Sequence, residues 1–172
     1  DIVRGTGGNN KYRHVLIAGY NTNIQDTNDS RFTMPTDPAQ DASNPATKES
    51  ISVHYYTPWS YCGDGQSTEY DWGVGSNREK DIKELTDNFD QMKTFTSKGY
   101  GVILGEYSVL VQTNKNIPLY MTELNNYAKQ VGICTCLWDT GGWINRRTGE
   151  FLYKDVAQAF IDLAGVKATA PE

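Results

Sequence analysis

The chain lacks any apolar run near the ~18 residues that a membrane-spanning helix needs, and no secretory leader opens it. Cysteine is scarce at 3 residues, too few for a disulfide framework. Cys134 and Cys136 stand two apart in a strand-like run, so they share a face, and a bridge between them would strain the backbone. Cys62 reads as a lone loop cysteine, and three free thiols are expected. Histidine is scarcer still: His14 and His54 lie far in sequence from the paired cysteines. No metal and no cofactor is therefore expected. Basic charge is short as well, with 16 Lys and Arg against 21 Asp and Glu, a net charge of −5 and no Lys/Arg run. A phosphate-rich partner needs a basic surface, which argues against nucleic acid and anionic membrane.

What is present suits one globular domain: 172 residues, 38% hydrophobic and 22% charged. Aromatic residues are abundant at 12%, including 4 Trp and 11 Tyr. Their flat faces are surfaces on which sugar rings stack, a first pointer to function.

Short β-branched and aromatic runs bounded by Gly, Ser or Asn read as buried strands at 15–18, 51–56, 102–105 and 133–138. Between and after them come helical patterns. In 76–97, Ile82, Leu85, Phe89 and Met92 form one apolar face, with Ser76 or Asn77 as cap, Glu79 in the first turn and Gly99 as terminator. Pro118 opens a helix that runs through 119–130. Val156, Phe160 and Leu163 share a face in 154–164, and residues 1–4 look like a last helical turn stopped by Gly7 and Gly8. The long polar stretch 21–49 holds at most a weak turn at 38–41. A Gly-, Tyr- and Trp-rich loop spans 61–75, and loops of that length are usually functional. The domain is expected over 1–165, with 166–172 as a linker or disordered tail.

Strand–helix alternation predicts a parallel sheet with right-handed crossovers. A complete (β/α)8 barrel takes ~250 residues, which leaves a small open α/β sheet or part of a barrel. Polar residues gather where the strands end: Asn21 and Asn23, then His54 and Tyr56, then Glu106 and Tyr107, then Trp138 and Asp139. In α/β folds that edge binds ligands.

These strand ends resemble a known family. Val53-His54-Tyr55-Tyr56-Thr57-Pro58-Trp59 resembles the sixth strand of glycoside hydrolase family 5, and Ile103-Leu104-Gly105-Glu106-Tyr107 its seventh. Leu137-Trp138-Asp139-Thr140-Gly141 resembles the eighth. The segment from Arg4 to Asn10, followed by Val15 to Asn23, resembles the end of the fourth helix and the fifth strand. The resemblance implies the C-terminal half of a (β/α)8 TIM barrel, strands five to eight, from a retaining endo-β-1,4-glucanase acting on cellulose, mixed-linkage glucan or xyloglucan. It implies Glu106 as nucleophile, with Tyr56 donating to it and His54 lining the sugar cleft. Trp138 becomes the platform under the cleaved sugar. Trp59, Trp72 and Trp143 are candidates for stacking further sugars, and Asn21, Asn23 and Asp139 for polar contacts. His14 is expected to be structural.

The family's acid/base is a glutamate in an Asn-Glu pair ending the fourth strand, and no Asn-Glu pair occurs in these residues. That glutamate is expected upstream of Asp1, so the chain alone is expected to hydrolyse little or nothing. Open strand edges and a bare inner face then call for a partner. The candidates are the N-terminal barrel half as a second polypeptide, or a homodimer about a two-fold axis in which the partner copy's fourth strand brings Asp139 opposite Glu106. A rearranged strand packing would also satisfy the edges. Different in class are a β-glucan-binding remnant without turnover, an excised folding fragment, and a flavodoxin-like module. The last is disfavoured by Gly19-Tyr20-Asn21-Thr22-Asn23, a poor phosphate-binding turn. Since plant polymers do not enter cells, the family implies secretion.

Overall fold

The computed structural model describes residues 2–38, 40, 48–63 and 70–165. Its centre is a four-stranded parallel sheet in the order β1 (Val15–Asn23), β2 (Glu49–Tyr55), β3 (Gly101–Tyr107), β4 (Ile133–Leu137). Ile17 pairs with Ile51, Ile51 with Val102, and Val102 with Ile133, so one apolar row crosses all the strands. The strand period of two then puts Val53 and Leu104 on the same side, where both are buried. On the opposite side Leu16, Cys134 and Cys136 are exposed.

The helices supply the cover for the buried face. Among the described residues the helices are α1 (Ile2–Gly5), which buries no residue, α2 (Ile24–Thr27), α3 (Trp59–Cys62), α4 (Arg78–Asp90), α5 (Lys93–Thr96), α6 (Ile117–Gln130) and α7 (Lys154–Ala164). Leu85 and Phe89 of α4, and Tyr120, Met121, Leu124 and Ala128 of α6, fall at helical spacing and are buried with the strand residues in one core. A doubly wound sheet is buried on both faces. Here, among the described residues, one face is packed and the other open, which is the geometry of a barrel wall.

Several expectations change in detail. The helix expected over 76–97 is divided: Gln91 N and Met92 N donate to Asn88 O and Phe89 O, three residues back, and this tighter turn separates α4 from α5. The apolar stripe nevertheless continues through Met92 and Phe95, both buried. Asn77 precedes α4 without a capping bond, its amide donating instead to Asp71 O. Strand β1 runs past Ala18 to Asn23, with Asn21 and Thr22 at φ 54°. Cys62 is not a loop residue but ends α3, buried, with its thiol donating to the Tyr120 hydroxyl at 3.2 Å. Of the turn expected at 38–41, a bond from Gln40 N to Asp37 O is seen. Ala39 and Asp41, residues 64–69 of the aromatic loop, and the tail 166–172 lie outside the described residues.

Gly19 has a specific reason to be glycine. A Cβ there would stand 2.0 Å from Thr27 Oγ1 and 2.7 Å from Thr27 Cα. The bare backbone lets α2 lie against β1, and Thr27 Oγ1 donates back to Asn23 O at 2.6 Å. Overpacking of this kind costs about 1–3 kcal/mol, so Gly19→Ala lowers the thermal midpoint in calorimetry by about 2–12 °C for a chain of this size.

Burial also orders the thiols. Cys62 is pushed up to about 12, chiefly by burial, while Cys134 and Cys136 are exposed. Titration of the native chain with an aromatic disulfide is expected to show fast reaction at Cys134 and Cys136, and reaction at Cys62 only on unfolding. Fast reaction of all three would contradict the packing.

Candidate active site

Glu106 reaches its position through a bulge. Val53 pairs with Leu104, but the next β2 residue, His54, pairs with Glu106, so Gly105 is an extra residue in β3. Regular register would have set Glu106 opposite Tyr55; the bulge slides it beside His54. Gly105 also makes room, since a Cβ there would stand 3.3 Å from Ser52 Oγ and 3.7 Å from His54 Nε2.

The carboxylate meets two side chains of the neighbouring strand's exit. The Tyr56 hydroxyl donates to Glu106 Oε2 at 3.2 Å, and His54 Nδ1 lies 3.3 Å from the same oxygen. Glu106 keeps 26% of its side-chain surface exposed, so it is held yet reachable. Burial, and then the adjacent Glu106 charge, push the Tyr56 phenol far above its ordinary range. Tyr56 therefore stays protonated and remains a donor to the carboxylate.

A cleft of about 320 Å³ begins at His54 and Tyr56 and is walled by Asn21, Asn23 and Trp59. Trp59 is 60% exposed, and it meets the Tyr56 ring edge-on at 6.2 Å. Its indole lies over Gly63, where any Cβ would strike the ring. Trp138 follows β4 and is 42% exposed, with its N–H donating to Tyr107 O at 2.9 Å. His54, Tyr56, Glu106 and Trp138 therefore stand at the exits of β2, β3 and β4, and Trp59 opens α3 just beyond β2.

Other expected sugar contacts take different roles. Trp72, 1% exposed, is a core residue packed edge-on against Tyr120 at 4.9 Å and beside Tyr61. Its loop is held down by buried Asp81, which accepts from the Tyr70 hydroxyl and from Gly73 N. Trp143, also 1% exposed, donates from Nε1 to Ser108 Oγ at 2.9 Å. Neither indole face is open to a sugar. Asn23 caps α2, its Oδ1 accepting from Gln25 N and Asp26 N at 2.7 and 3.1 Å. Asn21 stays exposed on the cleft wall.

Asp139 staples its own loop. Its Oδ1 accepts from Gly141 N and Trp143 N, each at 2.9 Å, and Arg146 Nε lies 3.8 Å from Oδ2. The Trp143 N–H bond foremost holds its carboxyl below the usual range. Asp139 is thus engaged by its own loop, and this geometry lends no support to the two-fold arrangement in which a partner copy's Asp139 faces Glu106. His14 is structural as expected, with Nε2 2.6 Å from Ser50 Oγ. Sequence reasoning passed over Ser108, and nothing in a lone serine after Glu106-Tyr107 marks it. Among the described residues, no group of three or more His, Cys, Asp or Glu is placed to hold a metal ion, and no helix is long and apolar enough to cross a membrane.

A parallel sheet with one helix-covered face, and a bulged strand end whose carboxylate is clasped by Tyr and His, defines part of a (β/α)8 barrel. The family model for cellulase, glycosyl hydrolase family 5, matches residues 1–142, and the chain belongs to that family. Endoglucanase A of Paenibacillus barcinonensis is 31% identical over 157 residues, covering 82% of this chain and 39% of that protein. Endoglucanase A of Clostridium longisporum is 31% identical, covering 100% of this chain and 33% of that protein. Among solved structures, a GH5-4 broad specificity endoglucanase from an uncultured bovine rumen ciliate superposes with a TM-score of 0.79 at 32% identity, covering 96% of this chain and 52% of that one. A family 5 xyloglucanase from Paenibacillus pabuli gives a TM-score of 0.80 at 28% identity, with 94% and 51% covered. The chain thus spans about half the length of these solved structures and 33–39% of those curated relatives.

Proposed function

We propose that the chain carries the nucleophile side of a retaining endo-β-1,4-glucanase site. The observation that carries this reading is the Glu106 carboxylate, reachable from solvent and oriented by Tyr56 and His54 at the strand-exit edge. In such a site one Glu106 oxygen attacks the anomeric carbon as the glycosidic bond breaks, forming a glycosyl ester that water later hydrolyses. Tyr56 holds the carboxylate in its attacking position, and Trp138 offers an exposed face for the reacting sugar. Trp59 and Asn21 extend the cleft toward a further sugar unit.

The second carboxyl of a retaining pair stands ~5–5.5 Å from the nucleophile, protonates the leaving oxygen and then activates water. Among the described residues Tyr56 and His54 are the side chains bonded to the Glu106 carboxylate. With no Asn-Glu pair in these residues, the reading follows the family resemblance and assigns the acid/base to the complementary barrel half or a second chain. The polymeric substrate puts the place of action outside the cell.

The expected result is that the purified chain releases little or no reducing sugar from a soluble mixed-linkage glucan while binding cellohexaose, read by tryptophan fluorescence. Sustained turnover by the chain alone would overturn the assignment of the acid/base, and absence of binding would remove the sugar cleft. Binding without any covalent chemistry at Glu106 would favour the second reading, a β-glucan-binding unit resting on the exposed Trp59 and Trp138.

Tyr56→Phe removes one hydrogen bond to a charged acceptor, an interaction of about 1.5–3 kcal/mol. Glycosylation of Glu106 by an activated cellobioside is expected to slow about 10- to 100-fold, measured by intact mass against time, with an unchanged thermal midpoint. A rate equal to the parent's would show that Tyr56 does not position the nucleophile.

A further inference from the structure

We propose that the hydrogen bond from Trp143 to Ser108 is a clasp that sets the position of the Trp138 platform relative to the Glu106 nucleophile. The inference rests on the functional reading above and makes Ser108 and Trp143 positioning residues.

The β3–β4 ladder ends with Tyr107 opposite Leu137. Glu106 lies just before this last pair and Trp138 just after it, so the ladder alone fixes their relation poorly. The last bond of the ladder itself, from Trp138 N to Tyr107 O, is the tie that reaches Trp138. A single tie leaves rotation about it. The second tie is the bond from Trp143 Nε1 to Ser108 Oγ. Ser108 is two residues after Glu106 and Trp143 five after Trp138, and both are buried.

The segment between Trp138 and Trp143 is itself stiffened, so the clasp can act through it. Asp139 gathers Gly141 N and Trp143 N on one oxygen, and Arg146 Nη2 donates to Asp139 O. Behind the indole, Leu152 N donates to Trp143 O at 2.7 Å and the Tyr153 ring meets it edge-on at 5.6 Å. Ile144 and Phe151 form an antiparallel bridge that closes this loop. The chain from Ser108 back to Glu106 is two peptide units long and includes buried Tyr107, whose hydroxyl donates to Asn125 Oδ1 of α6. Both arms of the clasp are therefore anchored in the core, and the link between them is one short buried hydrogen bond. Displacing a reacting group by about 1 Å can cost about 10²-fold in rate, which gives such a link leverage over the chemistry without any contact to substrate.

The test compares the chain with Ser108→Ala, Trp143→Phe and the double variant, using 2-deoxy-2-fluoro-β-cellobiosyl fluoride. In that reaction a Glu106 oxygen bonds to the anomeric carbon while the carbon–fluorine bond breaks and fluoride leaves. The saturating labelling rate, the concentration for half-saturation and the thermal midpoint are measured for each. The expected result is a fall in the saturating rate of about tenfold, with half-saturation changed less than about threefold. The double variant should be no worse than the single ones, because all remove the same bond. An unchanged rate in folded variants, or losses that multiply in the double variant, overturns the clasp while leaving the function standing. A parent chain that is neither labelled nor binds cellohexaose overturns the functional reading and the clasp with it.

Discussion

Glu106→Gln lowers the rate of glycosyl-ester formation by on the order of 10⁴-fold or more and leaves the fold intact. The amide has the shape of the carboxylate and can still accept from the Tyr56 hydroxyl, so the local packing is preserved. What it loses is the anionic oxygen that attacks the anomeric carbon. Because the side chain is partly exposed, no buried charge is left behind by the change. Intact mass after incubation with the fluorinated cellobioside reads the result directly: the parent gains one sugar adduct and the variant stays unmodified. Glu150→Gln, at an exposed glutamate in the loop after β4, serves as control and labels at the parent rate. Labelling of the Glu106→Gln variant at the parent rate would remove Glu106 from the mechanism.

Phe89→Ala has the largest expected effect on stability. Phe89 is fully buried on α4 and meets Tyr55 edge-on at 5.0 Å. Removing a buried phenyl ring costs about 3–5 kcal/mol, which for a chain of this size lowers the thermal midpoint by about 6–20 °C. The site feels the same change through the backbone, because Tyr55 is the β2 residue between His54 and Tyr56 and its ring is held in the core by Phe89. Glycosylation should therefore slow even below the new midpoint. Lys83→Ala, on the exposed side of the same helix, leaves the midpoint nearly unchanged. A midpoint for Phe89→Ala within about 2 °C of the parent would contradict the packing of α4 against β2.

The strands were legible because buried parallel strands are written in β-branched residues, and 15–18, 51–56, 102–105 and 133–138 all lie within or across the observed strands. The bounds of α6 and α7 followed from Pro118 and from the apolar spacing of Val156 and Phe160. The one-residue bulge at Gly105 was not legible, since one glycine before a glutamate does not say which β2 residue will stand opposite. Nor could the sequence separate the exposed tryptophans from the core ones. Trp59 and Trp138 stay exposed, while Trp72 and Trp143 are carried inward by contacts distant in sequence, to Tyr120 and Ser108. The cap at Asn23 did carry a local signal, an Asn followed three residues later by Asp26 at the first turn. It was outweighed by the strand-end position, which favoured a ligand contact. Asp139 was drawn to the site by the same position, and the nearby Gly141 and Trp143 N–H groups give it a loop to hold instead.

The most direct test is peptide mapping of the chain after reaction with 2-deoxy-2-fluoro-β-cellobiosyl fluoride. The adduct should fall on the peptide that contains Gly105-Glu106-Tyr107, with fragment ions placing it on Glu106. An adduct on another carboxylate, or none at saturating reagent while cellohexaose still binds, would contradict the assignment of this side chain as the nucleophile.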